Sequence, residues 1–350
     1  MKIFRYLTVL ILLLQLCSCH SDDTLDMTND VEGNVQALWE IIDRHYCFLD
    51  RDSLDWDEVY RKYMPMADSK MGSYNMFRML SEMLDYLHDG HVNLSSPYGT
   101  SYYRKWWSDY PQNFNERVIE ENYLRFNYNQ IGTYTYAHLP TVNVGYIRVS
   151  SFSSDIGEGN LDWILNQLAL VDGLIIDVRD NGGGLLTATE TLARRFITRR
   201  TLAGYISHKT GPGHNDFSEP EAFYYAPPSG HVVWGKPVVV LTNRSTFSAA
   251  NTFVAFMRSL GGNVTVAGST TGGGSGMPFS SSLPCGWTLR FSACPVYDPA
   301  MQLTESGVTP TPGHEVQCTS EEFGRGYDAI LEHAVEFLIG APIPNELVTL

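Results

Sequence analysis

The chain is poor in positive charge. It carries 24 lysine and arginine residues against 39 aspartate and glutamate residues, a formal net charge of −15. A surface so acidic repels a phosphate backbone and argues against a nucleic-acid partner; it also argues against electrostatic attachment to anionic lipid headgroups. Lysine is absent altogether after Lys236. Beyond the amino-terminal segment, no apolar run is long enough to cross a bilayer as a helix. Cysteine is sparse, and none falls in a Cys-x-x-Cys or Cys/His pattern with zinc-ligand spacing. His88 and His91, with Asp89 between them, lack a third ligand at readable spacing, so neither a metal nor another cofactor is expected. The Gly-x-Ser-x-Gly elbow of the α/β-hydrolases is missing. The glycine-rich stretch 268–276 lacks the Gly-Lys-Ser/Thr of a phosphate-binding loop. There is no internal repeat.

The first thing present is a targeting signature. Lys2 and Arg5 precede an apolar run over residues 7–16, too short for a membrane span, followed by Leu16-Cys17-Ser18-Cys19. Leu-x-Ser-Cys resembles the lipobox of bacterial lipoproteins. That resemblance implies an acylated Cys19 as the first mature residue, and a place in the cell envelope, at the outer membrane or cell surface, held by the lipid anchor alone. A plain secretory signal is the alternative. Loss of Lys2 and Arg5 leaves 22 − 39 = −17 on the mature chain. In an exported protein Cys47, Cys285, Cys294 and Cys318 can form up to two disulfides, in any of three pairings.

Residues 20–33 read as a polar tether. Apolar spacing at Val35, Leu38, Trp39, Ile42 and Tyr46 predicts a helix over 35–46, and similar patterns predict helices over 52–63 and 74–87. Residues 34–94 are thus expected to form a helical region. Residues 95–141, rich in Tyr, Trp, Asn and Gly with alternating patches at 123–128 and 133–138, predict a small antiparallel β section. From 142 to 340 the pattern changes: strands over 144–150, 174–178, 238–241 and 264–267 alternate with helices over 161–170, 185–197 and 249–260. That alternation signals α/β architecture. A hairpin (279–283 and 287–291), a terminal helix (321–339) and a tail (341–350) complete the chain. Residues 204–235, polar and rich in Pro, Gly and His, are expected to be a long loop acting as a lid.

The chain is organised around residues 237–256, where the buried strand 238–241 passes through a polar turn into a helix. Ser248 stands at that transition, followed by Ala249 and Ala250. A hydroxyl there lies at a helix N-terminus, where free N–H groups and the macrodipole stabilise developing negative charge, and small neighbours admit a substrate backbone. The plain alternative is an N-cap serine. A second strand–turn–helix unit carries Asp177, Arg179, Asn181 and Gly182-Gly183-Gly184.

These segments, in this order, resemble the tail-specific or C-terminal processing proteases, especially the tricorn-like and retinoid-binding-protein-like members. Gly145 to Phe152 is similar to the strand opening the protease domain. Asp177-x-Arg179-x-Asn181-x-Gly183-Gly184 resembles the D-x-R-x-N-x-G-G signature, and Leu241 to Ala250 the nucleophile segment. Gly268 to Gly274 and Gly307-Val308-Thr309-Pro310 match later landmarks. The resemblance implies a Clp-protease/crotonase-like ββα spiral core over 142–340 with an N-terminal helical cap, and a peptide or protein substrate. Many members use a lysine base after the glycine-rich turn; none stands around 273–275. Tricorn-like members use a histidine from the helical region and a late glutamate, which nominates His91 as base, Glu305 as its orienter, and the Ala249 and Gly183 amides as oxyanion donors. The chain departs from the pattern at Gly90, where a serine supports the histidine, at Asn251 and at Thr311. Residues 94–144 are too few for the PDZ domain many members insert. The expected protein is an exported serine endopeptidase, acting through an acyl-enzyme on Ser248, with kcat/KM falling as pH drops through roughly 6 to 7, where an unperturbed histidine titrates. The alternatives are an inactive relative binding peptide or hydrophobic ligand at the cell envelope, and a surface structural or adhesion protein. Nothing in the sequence sets an oligomeric state.

Overall fold

The computed structural model describes residues 27–51 and 54–340. The targeting segment with Cys19, most of the tether and the tail 341–350 lie outside the described residues. Three helices open the fold: α1 (Val31–His45), α2 (Trp56–Tyr63) and α3 (Ser73–Asp85). Asp30 and Asp55 cap the first two by accepting from Gly33 N and Glu58 N. Their apolar faces pack Leu38, Ile42, Leu80 and Met83 into one core.

Two sheets follow. The first is made of β3 (Asn129–Ile131), β4 (Tyr134–His138), β5 (Val144–Val149), β6 (Gly173–Asp177), β9 (Val238–Thr242) and β10 (Val264–Gly268), in the order β10-β9-β6-β5-β4-β3. The run from β10 to β5 is parallel, with Ile176 opposite Val240 and Ile147, and β4 and β3 add antiparallel at the edge. Every residue of β5, β6, β9 and β10 is buried, as unbroken apolar strands covered on both faces must be. On one face lie α4 (Glu158–Gln167), α5 (Leu186–Ala193) and α6 (Ala249–Leu260). On the other face lies α7 (Ala329–Ile339), with the helical segment around Ile119 and Tyr123.

The second sheet is antiparallel. β1 (Asn93–Ser96), β2 (Gly99–Thr100), β7 (Thr201–Ile206), β8 (Glu221–Tyr225) and β12 (Thr288–Tyr297) run in the order β2-β1-β12-β7-β8, with β11 (Gly276–Ser282) also paired to β12. β12 carries Leu289 and Phe291 into the core of the opening helices, so this sheet joins them to the parallel layer.

Several expectations change here. Residues 95–141 are not one β section: β1 and β2 belong to the antiparallel sheet, β3 and β4 to the edge of the parallel one, and residues 119–123 are helical. The aromatic alternation read at 123–128 reflects Tyr123 and Leu124 turning into the core from a helical end. The terminal helix is two helices, Ser320–Gly324 and Ala329–Ile339, separated at Gly326 (φ 76°) and restarted by the Asp328 cap. Within 204–235 the apolar alternation of 221–225 forms β8, and His214 ties the intervening turn to α1 by bonding Asp43 at 2.8 Å. That stretch is therefore a docked hairpin and lines no part of the cavity over Ser248. Among the described residues Cys47, Cys285, Cys294 and Cys318 are free thiols, and none of the expected disulfides is formed.

Candidate active site

Ser248 lies between β9 and α6 with φ 58°, a left-handed backbone conformation rare for serine. It makes no side-chain cap bond to the helix. Its Oγ instead lies 2.8 Å from His91 Nε2, which decides against the N-cap reading. The strained turn is held from three sides. Phe247 N donates to Asn181 O (3.0 Å), Ser248 N to Gly273 O (2.8 Å), and Thr246 Oγ1 to Val178 O (2.8 Å). Strain of this kind persists where surrounding bonds over-determine the backbone.

The Asp177-to-Gly184 segment supplies the scaffold opposite. Arg179 is fully buried between Asp177 and Asp328, with ion pairs of 2.6 and 2.9 Å. Tyr146 Oη donates to Asp177 at 2.9 Å. Asn181 then spans the turn: Nδ2 donates to Val149 O and Oδ1 accepts from Gly183 N, both at 2.9 Å. A Cβ on Gly183 (φ 96°) would stand 2.7 Å from Phe247 O and 2.8 Å from Ala249 N, so only glycine fits against the serine turn. Among the described residues the Ala249 amide has no acceptor, as an oxyanion donor requires. The Gly183 amide, expected as the second donor, is already donating to Asn181, because that bond closes the turn.

His91 sits at the end of the connection from α3 to β1 and is 3% exposed. Asp89 positions it through the main chain: Oδ1 accepts from His91 N at 2.7 Å, and Oδ2 accepts from Ser292 Oγ at 2.7 Å. Burial lowers the imidazole to about 4, against opposing pulls from Asp89 and the Gly276 main chain and with help from Arg290. Among the described residues His91 Nδ1 is buried without a hydrogen-bond partner, so the pull of Gly276 falls short of a full bond. Glu305 does not reach the ring. Its Oε2 accepts from Ser275 N (2.6 Å), Ser275 Oγ (3.1 Å) and Gly276 N (3.2 Å), which fixes the start of β11 beside the histidine. Burial, with the charge of Asp89, raises the Glu305 carboxyl to about 8. Lys236 is bound by the Ala169 and Val171 carbonyls at 2.8 and 2.6 Å, where it cannot serve Ser248. His88 is exposed and stacks on Tyr103 at 4.9 Å, a packing role.

The wall over the serine is residue 106. Trp106 stacks on Phe247 with centroids 4.1 Å apart, and Phe247 lies 4.8 Å from the His91 ring. Arg244 fastens this wall by donating to Trp106 O at 2.5 Å. Gly90 is explained by the same packing, since a Cβ there would stand 2.5 Å from Trp106 Nε1. Asn251 holds Thr304 and Thr271, and the Thr311 hydroxyl accepts from Val266 N, so both departures have structural partners. A cavity of about 700 Å³ opens between Ser248, His91, Gly182, Gly183, Trp106 and Trp107.

Sequence reasoning missed Trp106 and Asp328, and it gave Asn181 no role of its own. The Lys105-Trp106-Trp107 cluster was visible, but nothing local says which element it covers.

Residues 143–312 match the family model described as peptidase family S41, and residues 27–85 match the Tricorn protease C1 domain. His91 falls between the two matched segments. A solved structure from Parabacteroides merdae, described as a candidate peptidase, is similar at a TM-score of 0.83 and 44% identity, over 89% of this chain and 98% of that one. Mature CPAF complexed with lactacystin shares the fold alone, at TM-score 0.63 and 12% identity over 89% of this chain and 97% of the other. A carboxyl-terminal-processing protease of Synechocystis is 34% identical over 32% of this chain and 24% of its own length. CtpA of Bacillus subtilis is 30% identical over 39% of this chain and 28% of its own. The chain thus matches about a quarter of the length of these curated relatives.

Proposed function

Because the chain belongs to peptidase family S41, the carboxyl-terminal processing proteases, we propose that it is a serine peptidase hydrolysing peptide bonds through an acyl-enzyme on Ser248. The observation that carries this reading is the 2.8 Å approach of Ser248 Oγ to His91 Nε2 between residues 157 positions apart. Ser248 Oγ attacks the substrate carbonyl carbon as its proton passes to His91 Nε2. The tetrahedral oxyanion is met by the Ala249 amide at the helix N-terminus. Collapse expels the amine, which takes the proton from His91. Water then attacks the ester, His91 takes its proton, and Ser248 recovers it as the acid product leaves. The Gly183 amide joins the oxyanion site on this reading when substrate competes with Asn181 Oδ1. Glu305 acts through Ser275 and Gly276, as a positioning residue rather than a direct partner of the imidazole.

The β5–α4–β6–α5 and β9–α6–β10 successions support a ββα spiral of the Clp-protease/crotonase type for the core. The Leu16-x-x-Cys19 pattern supports export and lipid anchoring in the cell envelope; Cys19→Ala should release the protein from membranes or block its maturation. The peptidase reading is tested by labelling purified protein with a serine-reactive phosphonate and assaying peptide cleavage. Wild type should label and cleave, and Ser248→Ala should do neither.

A further inference from the structure

The cavity over Ser248 has a charge the rest of the molecule does not predict. In a chain with 39 acidic and 24 basic residues, no aspartate or glutamate among the described residues lines it, whereas Arg104 and Arg290 both do. Several buried arginines elsewhere are paired with carboxylates, as Arg148 is with Glu116, Arg179 with Asp177 and Arg195 with Asp162. Among the described residues neither Arg104 nor Arg290 has a side-chain hydrogen bond or ion pair; Arg104 lies over the Tyr102 ring at 6.0 Å. Arg290 is carried by β12 opposite Asn93, which lines the same cavity. It comes from a rigid strand rather than a surface loop. Burial pushes its guanidinium below the ordinary arginine range, against the pull of the Asp89 carboxylate, which forms no ion pair with it. A partly desolvated, unpaired guanidinium is an unfavourable arrangement unless something supplies the counter-charge.

We propose that Arg290 and Arg104 form an anion subsite that binds a carboxylate of the peptide substrate beside the Ser248 nucleophile. This inference rests on the peptidase reading of the site. The guanidinium fork matches the two oxygens of a carboxylate, and Asn93 adds a neutral polar neighbour. Such a carboxylate comes either from an Asp or Glu side chain or from the free C-terminus. The overall negative charge gives the subsite a second use, because acidic peptides are repelled from the general surface and held only where the two arginines converge.

The test separates the subsite from the chemistry. Binding is measured to the Ser248→Ala protein by tryptophan fluorescence, since Trp106 and Trp107 line the cavity. The probes are one peptide series carrying Asp or Asn at each position in turn, each as free acid and as C-terminal amide. Wild-type cleavage and phosphonate labelling are followed in parallel. The expected result is at least about tenfold tighter binding of one acidic form over its neutral isostere, the order expected of a charge-assisted hydrogen bond. Preference for Asp over Asn identifies a side-chain carboxylate, and preference for free acid over amide identifies the C-terminus. Arg290→Gln in the Ser248→Ala background should erase the discrimination, and Arg290→Glu should turn it towards peptides with lysine at that position, a reversal misfolding cannot produce. Equal binding of acidic and neutral peptides overturns the subsite even if the enzyme cleaves. Absence of labelling and cleavage with the acidic preference intact overturns the peptidase reading and leaves the subsite standing.

Discussion

The two halves of the candidate catalytic pair come from regions built on different principles. Ser248 rises from the parallel sheet, where β6 and β9 are wholly buried and the adjoining turn is closed by the buried Asp177–Arg179–Asp328 cluster. His91 comes from the connection between the opening helices and the antiparallel sheet, held by one carboxylate on its main chain and by the Phe247–Trp106 stack. The first region is rigid through ion pairs and continuous apolar packing; the second is placed by shape and a few polar bonds. Damage to the first should therefore be read as lost stability, and damage to the second as altered chemistry in a folded protein.

The sharpest way to break that division is at the nucleophile itself. Ser248→Ala should lower peptide hydrolysis by at least about a thousandfold. Because Ser248 makes no cap bond, the unfolding free energy should stay put rather than fall by the roughly 0.5–2 kcal/mol of a lost N-cap. A clear loss of stability with hydrolysis retained would return Ser248 to a structural role. Next in size, Arg179→Met strands Asp177 and Asp328 without a counter-charge and should cost about 3–5 kcal/mol, read as a lowered urea midpoint. His91→Ala should abolish hydrolysis with a far smaller shift of that midpoint, and equal destabilisation by both would erase the contrast.

The pH profile sharpens the same point. Burial holds the His91 imidazole near 4, so it is neutral and able to accept the serine proton well below its ordinary range. The acid limb of kcat/KM in wild type should lie below pH 6, not across the 6 to 7 span expected of an exposed histidine. A limb centred at 6.5 would show the ring to be solvated in solution.

Smaller effects come from the wall and from Glu305. Gly90→Ser should overpack Trp106 at a cost of about 1–3 kcal/mol, and Trp106→Ala should relieve most of it in the double variant. An unrelieved cost would place the conflict elsewhere. Glu305 is protonated in the folded chain up to about pH 8, whereas the unfolded chain releases that proton near 4.5. The native state then binds more protons between those values, so this group's contribution to stability is full at low pH and declines as pH rises through the window. Glu305→Gln should flatten that slope in urea titrations across the range, and an unchanged slope would assign it to other groups.

What could be read beforehand follows the range of the interactions. α6 was legible to the residue, and α3, β5, β6, β9 and β10 nearly so, because apolar periodicity and turn chemistry are local; the first turn of α1, opened by the Asp30 cap, was not. Ser248 and His91 were nominated by the resemblance of short segments, and the structure brings their side chains within 2.8 Å. Trp106 was not, since its partner Phe247 is far along the chain and a tryptophan pair in a polar stretch looks like surface. Asp328 escaped for the same reason: its bond to Arg179 spans 149 positions and its local appearance is that of a helix cap. The lid expected over 204–235 failed because length and polarity describe a loop but not where it docks. Glu305 was found by its place before Gly307, yet its bonds run to Ser275 and Gly276, a matter of one strand's path.

The separation of Ser248 from His91 also bears on the protein's own synthesis. The histidine emerges early and its serine 157 positions later, and neither region alone holds an activated hydroxyl. A chain still assembling carries only an ordinary serine alcohol on one side and an idle imidazole on the other. On the reading proposed above, docking of the helical region and antiparallel sheet onto the parallel layer is the step that brings the two side chains within 2.8 Å. On the serine-peptidase reading, a newly made chain would hold no paired nucleophile until those two regions meet.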